Sequence, residues 1–284
     1  MKVFISVDME GISGLVRWAD VSSKGIDFER NRRLMTLDAN AAVEGAFAAG
    51  ATEVVVEENH GVEDLCVLDM ELIDPRCRVI RGAGRPGATT MAGLDSTTGV
   101  VLLIGHHARA GSFPGIMAHT ISYGGFRLVS LGGEPIGEPD FFALRAAEVG
   151  VPIGMVSGDQ VVAGQVRARC PAAETVIVKQ ALANQSAECI PPARARRLIA
   201  AGAARAVTRA MRGELPTCEA GGPYEFEVEM REPVGAAMRE NLTPLEGFEI
   251  LDDRVVRVVA PDMDLGFRRV AYLGYANRPG VTRH

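Results

Sequence analysis

The 284-residue sequence predicts an α/β fold, a mainly parallel sheet flanked by helices with a smaller C-terminal α+β unit. Three observations carry that expectation. Short, nearly continuous apolar runs such as Val54-Val55-Val56 and Val100-Val101-Leu102-Leu103-Ile104 suit strands covered on both faces. Between the runs lie stretches with helical spacing, as at Met35, Ala39, Val43 and Ala46, and alternation of strand with helix is the mark of a parallel sheet. Beyond residue 222 the pattern changes to Tyr224-Glu225-Phe226-Glu227-Val228-Glu229-Met230, which alternates strictly, as a strand with one wet face does. The chain therefore divides into an α/β domain carrying the site over 1–213 and a smaller α+β domain over 214–284, with a stretch containing Pro216 and Gly221-Gly222 between them.

The elements follow in order. Residues 2–8 form the first strand, which ends in Asp8-Met9-Glu10-Gly11 and a flexible loop to Gly14. A helix over 29–49 stops at Gly50. The second strand, 53–57, runs out through Glu58-Asn59-His60-Gly61. A short strand at 78–81 leads into Gly82-Ala83-Gly84-Arg85-Pro86-Gly87, formally the spacing of a dinucleotide-binding turn. That reading fails, because Pro86 has no N–H for a phosphate, the helix after it (about 88–94) is short, and the next strand ends in Gly105-His106 instead of an acidic residue. Strand 100–104 comes next, and then a hairpin about Gly132-Gly133 joins 127–131 to 135–136. A helix over 138–149, a strand at 151–157 with Gly158-Asp159-Gln160 at its exit, a further helix, and a strand at 175–179 continue the alternation. After it come a loop holding Asn184 and Ser186 and a helix over 193–211. A short helix at 235–241, strands at 248–251 and 254–259, and a helix over 262–276 complete the smaller unit.

A net charge of −6 and a pI near 5.5 argue against nucleic acid or an anionic membrane surface as the main partner. The arginines between Arg194 and Arg212 read as a solvated or interface face of one helix. Met1 to Val7 reads as a strand and not as a signal peptide, and no apolar run approaches a membrane span, so a cytoplasmic location is expected. Five widely spaced cysteines without a C-x-x-C indicate neither a disulfide framework nor a cysteine zinc site. Cys66 and Cys189 read as buried small hydrophobes.

Histidine is placed, not scattered. Of five histidines, His106, His107 and His119 fall within 105–119, directly after an apolar run, and His60 follows another. Asp8 and Glu10 point to one side of a strand exit, where two carboxylates repel unless a cation or proton lies between them. In an open α/β sheet the strand exits share one rim, so Asp8, Glu10, His60 and His107 converge there. Glu138, in a first helical turn, either complements the helix dipole or adds a further ligand. Lys179 at a strand end reads as a solvated charge or salt-bridge partner, with support of the site as the alternative.

Together Ser6-Val7-Asp8-Met9-Glu10-Gly11-Ile12-Ser13-Gly14, Asn59-His60, Gly105-His106-His107-Ala108-Arg109-Ala110, Pro114-Gly115-Ile116-Met117-Ala118-His119, Gly137-Glu138 and Val178-Lys179-Gln180 resemble the zinc-dependent D-aminopeptidases of peptidase family M55. The specific motifs span roughly the first 200 residues, and the rest agrees in outline. The resemblance implies a two-zinc amide hydrolase acting on short peptides with an N-terminal D-residue. It implies Asp8, Glu10, His60, His107 and Glu138 as metal ligands, Asp8 as the bridge, His119 as the catalytic residue, and a ring-shaped homo-oligomer, a decamer in the type member. Mixed imidazole and carboxylate ligands suit zinc better than magnesium. His119 then either moves protons or attacks the carbonyl, and both roles stay open. Three other readings compete. One is an amidase acting on a non-peptide amide or lactam, and another is a two-metal phosphoesterase, for which Arg109 is the one obvious basic residue in the histidine stretch. The third is a non-catalytic, metal-dependent peptide-binding protein, which would need no spare histidine.

Overall fold

A computed structural model of the chain describes residues 1–61, 63–85 and 91–276. Its elements, in chain order, are β1 (Lys2–Val7), α1 (Trp18–Val21), α2 (Phe28–Ala48), β2 (Glu53–Glu58), β3 (Arg78–Ile80), β4 (Thr98–Ile104), β5 (Phe126–Leu131), β6 (Glu134–Pro135), α3 (Glu138–Glu148) and β7 (Ile153–Asp159). They continue with α4 (Gln160–Arg169), β8 (Glu174–Ala183), β9 (Ser186–Cys189), α5 (Pro192–Met211), β10 (Tyr224–Met230), α6 (Ala236–Leu242), β11 (Phe248–Ile250), β12 (Val255–Ala260) and α7 (Met263–Ala276).

Seven strands form one sheet in the order β3-β2-β1-β4-β7-β8-β9, parallel throughout except for β9, which pairs antiparallel with β8. The alternation of side chains along β1 and β4 divides the core into two. Val3, Ile5, Val7, Val100, Leu102 and Ile104 face α2 and α5, whereas Phe4, Val101 and Leu103 face the opposite cluster, which holds Phe141, Phe142 and Val162. Both faces are covered, which is why these strands are nearly continuously apolar, with Ser6 of β1 a buried exception.

The second sheet is antiparallel, in the order β11-β12-β10-β5-β6. Its wet and dry faces follow the alternation of β10, where Tyr224, Phe226, Val228 and Met230 are buried and Glu225 and Glu227 are exposed. The hairpin of β5 and β6 turns at Gly132 and Gly133, both at positive φ (57° and 86°), the backbone that a tight two-residue turn requires. Because β5 pairs with β10, this sheet draws strands from both sides of the expected boundary at 213/214. Two expectations are corrected: Ser186 belongs to β9, with Asn184 in the turn of a β8–β9 hairpin instead of a longer loop, and Cys66 is exposed. The short helix expected over 88–94 lies partly outside the described residues, and Met91 to Leu94 is a turn. Among the described residues no helix is long and apolar enough to cross a membrane.

Candidate metal centre

The exits of β1, β2 and β4 meet on one rim of the parallel sheet. Asp8 N–H donates to Ile104 O at 2.8 Å and Gly11 N–H to Gly105 O at 2.7 Å, so the loop after β1 lies directly on the loop after β4. Glycine permits that contact. A Cβ on Gly11 would stand 2.1 Å from His106 O, and one on Gly105, whose φ is +72°, would stand 2.3 Å from Asp8 O. The close approach sets Asp8 against the two histidines delivered by β4.

Asp8, Glu10, His60, His107, His119 and Glu138 are all buried, and all line one cavity of about 390 Å³. Their ligand atoms fall into two groups, Asp8 with Glu10 and His60, and His107 with His119 and Glu138, each within 4.8 Å. Asp8 joins the groups: Oδ1 is 3.4 Å from His60 Nδ1 and Oδ2 is 3.4 Å from His107 Nε2. Glu10 Oε2 lies 3.0 Å from His60 Nδ1, and Glu138 Oε1 lies 3.4 Å from His107 Nε2.

Each imidazole is oriented by a backbone carbonyl. His60 Nε2 meets Val21 O at 2.9 Å, His107 Nδ1 meets Ala108 O at 3.1 Å, and His119 Nδ1 meets Met117 O at 2.9 Å. In that arrangement His60 Nδ1 and the Nε2 atoms of His107 and His119 face the carboxylates, and a carbonyl behind each ring is the usual support of a metal-ligating histidine. The rings of His107 and His119 stack at 3.9 Å, and Trp18 sets its edge against His119 at 5.4 Å. Glu138 also accepts from Ile121 N–H at 2.7 Å, which ties the start of α3 to the loop carrying His119. Met117 and Ile121, two residues to either side of His119, both have positive φ (47° and 60°), a local strain of the kind that collects at functional sites.

The electrostatics call for cations. Burial would raise the Asp8 carboxyl, but hydrogen bonds from His107 and His60 outweigh it and hold the group well below the usual carboxylate range. Burial opposes charging of His60 and His107, yet Glu10 and Asp8 raise His60, and Glu138 and Asp8 raise His107, well above the ordinary histidine value. For His119 burial and repulsion from His107 both act downward, which keeps it neutral. Three buried carboxylates thus attract positive charge to the points where the imidazole nitrogens converge, and divalent ions taking mixed nitrogen and oxygen ligands fit that donor set.

The alternative reading of Lys179, as support beneath the site, is the one the structure favours. Lys179 is buried, contrary to its surface reading, and its Nζ donates to the carbonyls of Glu10 at 2.6 Å, Ile12 at 2.9 Å and Leu15 at 2.5 Å. Burial draws its pKa down to about 8. Its setting in the apolar run Val176-Ile177-Val178 was the available signal. Asp159 caps α4 and also accepts from Ile116 N–H at 2.8 Å, steadying the loop before His119. His106 is fully buried, 3.9 Å from Asp8 and edge-on to Phe142, and does not line the cavity. Arg109 lines a different pocket, with Asp140 and Arg169. The arginine that does reach the cavity, Arg85, is engaged by Glu57 at 2.8 Å and by the carbonyls of Glu58 and Gly82.

Three comparisons bear on this arrangement. Residues 1–271 match the model of peptidase family M55, described as D-aminopeptidase. A D-aminopeptidase of Bacillus subtilis (strain 168) is 38% identical over 199 residues, covering 70% of this chain and 71% of that protein. The solved structure described as "Zn-dependent D-aminopeptidase DppA from Bacillus subtilis, a self-compartmentalizing protease" superposes with a TM-score of 0.89 at 30% identity, over 99% of this chain and 100% of that one.

Proposed function

Because the chain belongs to peptidase family M55, the D-aminopeptidases, we propose that it is a zinc-dependent aminopeptidase that removes N-terminal D-residues from short peptides or amides. The observation that carries the reading is Asp8, with one oxygen toward His60 and the other toward His107, at the junction of two buried ligand groups. In this reading Asp8, Glu10 and His60 would hold one zinc ion, and His107 and Glu138, with Asp8 between the two groups, would hold a second. Zinc bound there supplies Lewis-acid chemistry, polarising the scissile carbonyl and easing the deprotonation of water.

The remaining work falls to the chain's own residues. His119, kept neutral by burial, has Nδ1 committed to Met117 O and Nε2 free to accept a proton from the attacking group and return it to the leaving nitrogen. Its stacking on His107 and its edge contact with Trp18 hold the ring in place for both transfers. Phe267, Ala271 and Tyr275 of α7, with Leu65 and Ile121, give the cavity apolar walls that shelter the scissile bond from bulk water. The phosphoesterase alternative is not supported, since Arg109 lies away from the cavity and Arg85 is already engaged. By likeness to the self-compartmentalizing relative, the chain assembles as a homo-oligomer, a ring-shaped decamer in this reading.

Metal analysis of the purified protein, run beside hydrolysis of D- and L-aminoacyl amides and dipeptides with and without chelator, tests the proposal. Two zinc ions per chain with chelator-sensitive, D-selective cleavage is the expected result. A metal-free protein, or cleavage indifferent to chelator, would overturn it.

A further inference from the structure

Two thiols far apart in the sequence meet beside α3. Cys218, in the stretch between α5 and β10, sets its Sγ 3.2 Å from the Ala143 carbonyl. One turn earlier on α3, Asp140 accepts from Arg169 Nε at 2.9 Å, and Arg169 is followed by Cys170, the residue that ends α4. The same part of α3 thus draws both cysteines together, and their side chains share a hydrogen bond. Their exposure differs. Cys170 is buried, whereas Cys218 is half-buried and lines a pocket of about 480 Å³ with Arg109, Glu134, Asp140, Gln165 and Arg169. The hydrogen bond from Cys170 and the charge of Arg169 draw the Cys218 thiol below its ordinary range against the effect of burial, and the same bond, with burial, pushes Cys170 up. The reachable thiol is therefore the one that ionises, and a thiolate is the nucleophile in exchange with a disulfide. The cavity around Asp8 uses neither cysteine.

We propose that Cys218 and Cys170 form a thiol–disulfide exchange site, at which Cys218 takes up a small-molecule disulfide and Cys170 converts the adduct into a cross-link between α4 and the stretch before β10. The assignment stands apart from the aminopeptidase reading and does not depend on it. The Cys218 thiolate attacks one sulfur of a disulfide R–S–S–R and forms Cys218–S–S–R. The released R–S⁻ carries away the electron pair of the broken bond and takes up the proton that Cys218 gave up. Capping removes the Cys218 thiolate, and with it the hydrogen bond that held the proton on Cys170. Cys170 then attacks the Cys218 sulfur, passes its proton to the second R–S⁻, and closes the bond between the two cysteines. In balance, two protein thiols are oxidised and one R–S–S–R is reduced to two R–SH. Excess thiol runs both steps backward. The cross-link closes a loop of about fifty residues, a constraint on the unfolded chain, and it fastens the segment that leads into β10, the strand paired with β5.

To test this, the zinc-loaded protein is treated with hydroxyethyl disulfide, a small neutral probe, then trapped with acid, alkylated and mapped by mass spectrometry. The wild type yields one pair of peptides joined through Cys170 and Cys218 and lighter by two hydrogens, whereas the exposed Cys66 stops at the adduct. Cys170→Ser halts at the adduct on Cys218. Cys218→Ser loses the cross-link and leaves Cys170 reduced. The cross-linked wild type melts several degrees above the reduced chain, and excess thiol returns it to the reduced value. A wild type whose Cys170 and Cys218 both stay reduced, or are capped separately, overturns the proposal, and this result needs no variant to fold. So does a Cys218→Ser protein whose Cys170 is capped as fast as Cys218 is in Cys170→Ser. A cross-link that forms without raising the melting temperature overturns the fastening of the segment before β10.

Discussion

The ammonium group of Lys179 donates to the backbone carbonyl of Glu10 across 2.6 Å, fastening β8 to the loop that carries Asp8 and Glu10. With the bonds to Ile12 and Leu15 it satisfies three buried carbonyls through one side chain. Replacement by methionine keeps most of the volume and removes all three donors. Lys179→Met is expected to lose roughly 3 kcal/mol or more of stability, about one unsatisfied acceptor's cost for each carbonyl. Zinc content should fall with it, since Glu10 loses its support. Denaturant titration together with metal analysis checks this, and wild-type stability in the variant would show that the lysine is not what holds the loop.

His119→Ala separates catalysis from metal binding. Turnover should drop by about 10²- to 10⁴-fold, the usual contribution of a proton-transferring group, while both zinc ions remain. Because His119 Nε2 lies in the same ligand group as His107 and Glu138, the metal count decides between roles. Loss of one zinc in this variant would make His119 a ligand instead of the proton carrier.

Asp38, on the buried face of α2, offers a test by pH. Burial pushes its carboxyl up to about 7, against the opposing charges of Arg196 and Lys179. The native state therefore keeps this proton up to about pH 7, whereas the unfolded chain releases it near the ordinary aspartate value. The stability it contributes is fully present in acid and is lost as pH rises through 7, a penalty of up to about 4 kcal/mol above that point. Asp38→Asn should accordingly be more stable than wild type at pH 8 and little different at pH 4. Thermal melts at the two values measure the difference, and a variant equally or more strongly stabilised at pH 4 would contradict the sign.

Much of the site was legible because strand exits of a parallel sheet share a rim. Asp8, Glu10, His60 and His107 each follow an apolar run, and that position alone brings them together. The residues alone leave Glu138 between dipole partner and ligand and mark His119 only as one of the clustered histidines, the resemblance implies their roles, and the structure sets both within reach of His107. What was not legible depends on partners far along the chain. Lys179 is buried because the carbonyls of the loop after β1, more than 160 residues earlier, close over it. Ser186 was read as loop because apolar alternation fades after Gln180, yet β9 is held by its register against β8. Nothing within 126–135 announces that β5 will seek β10, about 100 residues later.

The hairpin of β5 and β6 lies between His119 and Glu138 along the chain, and it is this hairpin that β10 joins. The C-terminal strands are thus stitched into the segment that supplies His119 and Glu138 to the cavity. Recombination between relatives cannot exchange the final 70 or so residues as a free cassette, because an incoming segment must bring a strand that matches Phe226, Val228 and Met230 against Leu131, Val129 and Phe126. Drift in the outer sheet is constrained by the chemistry on the rim of the inner one.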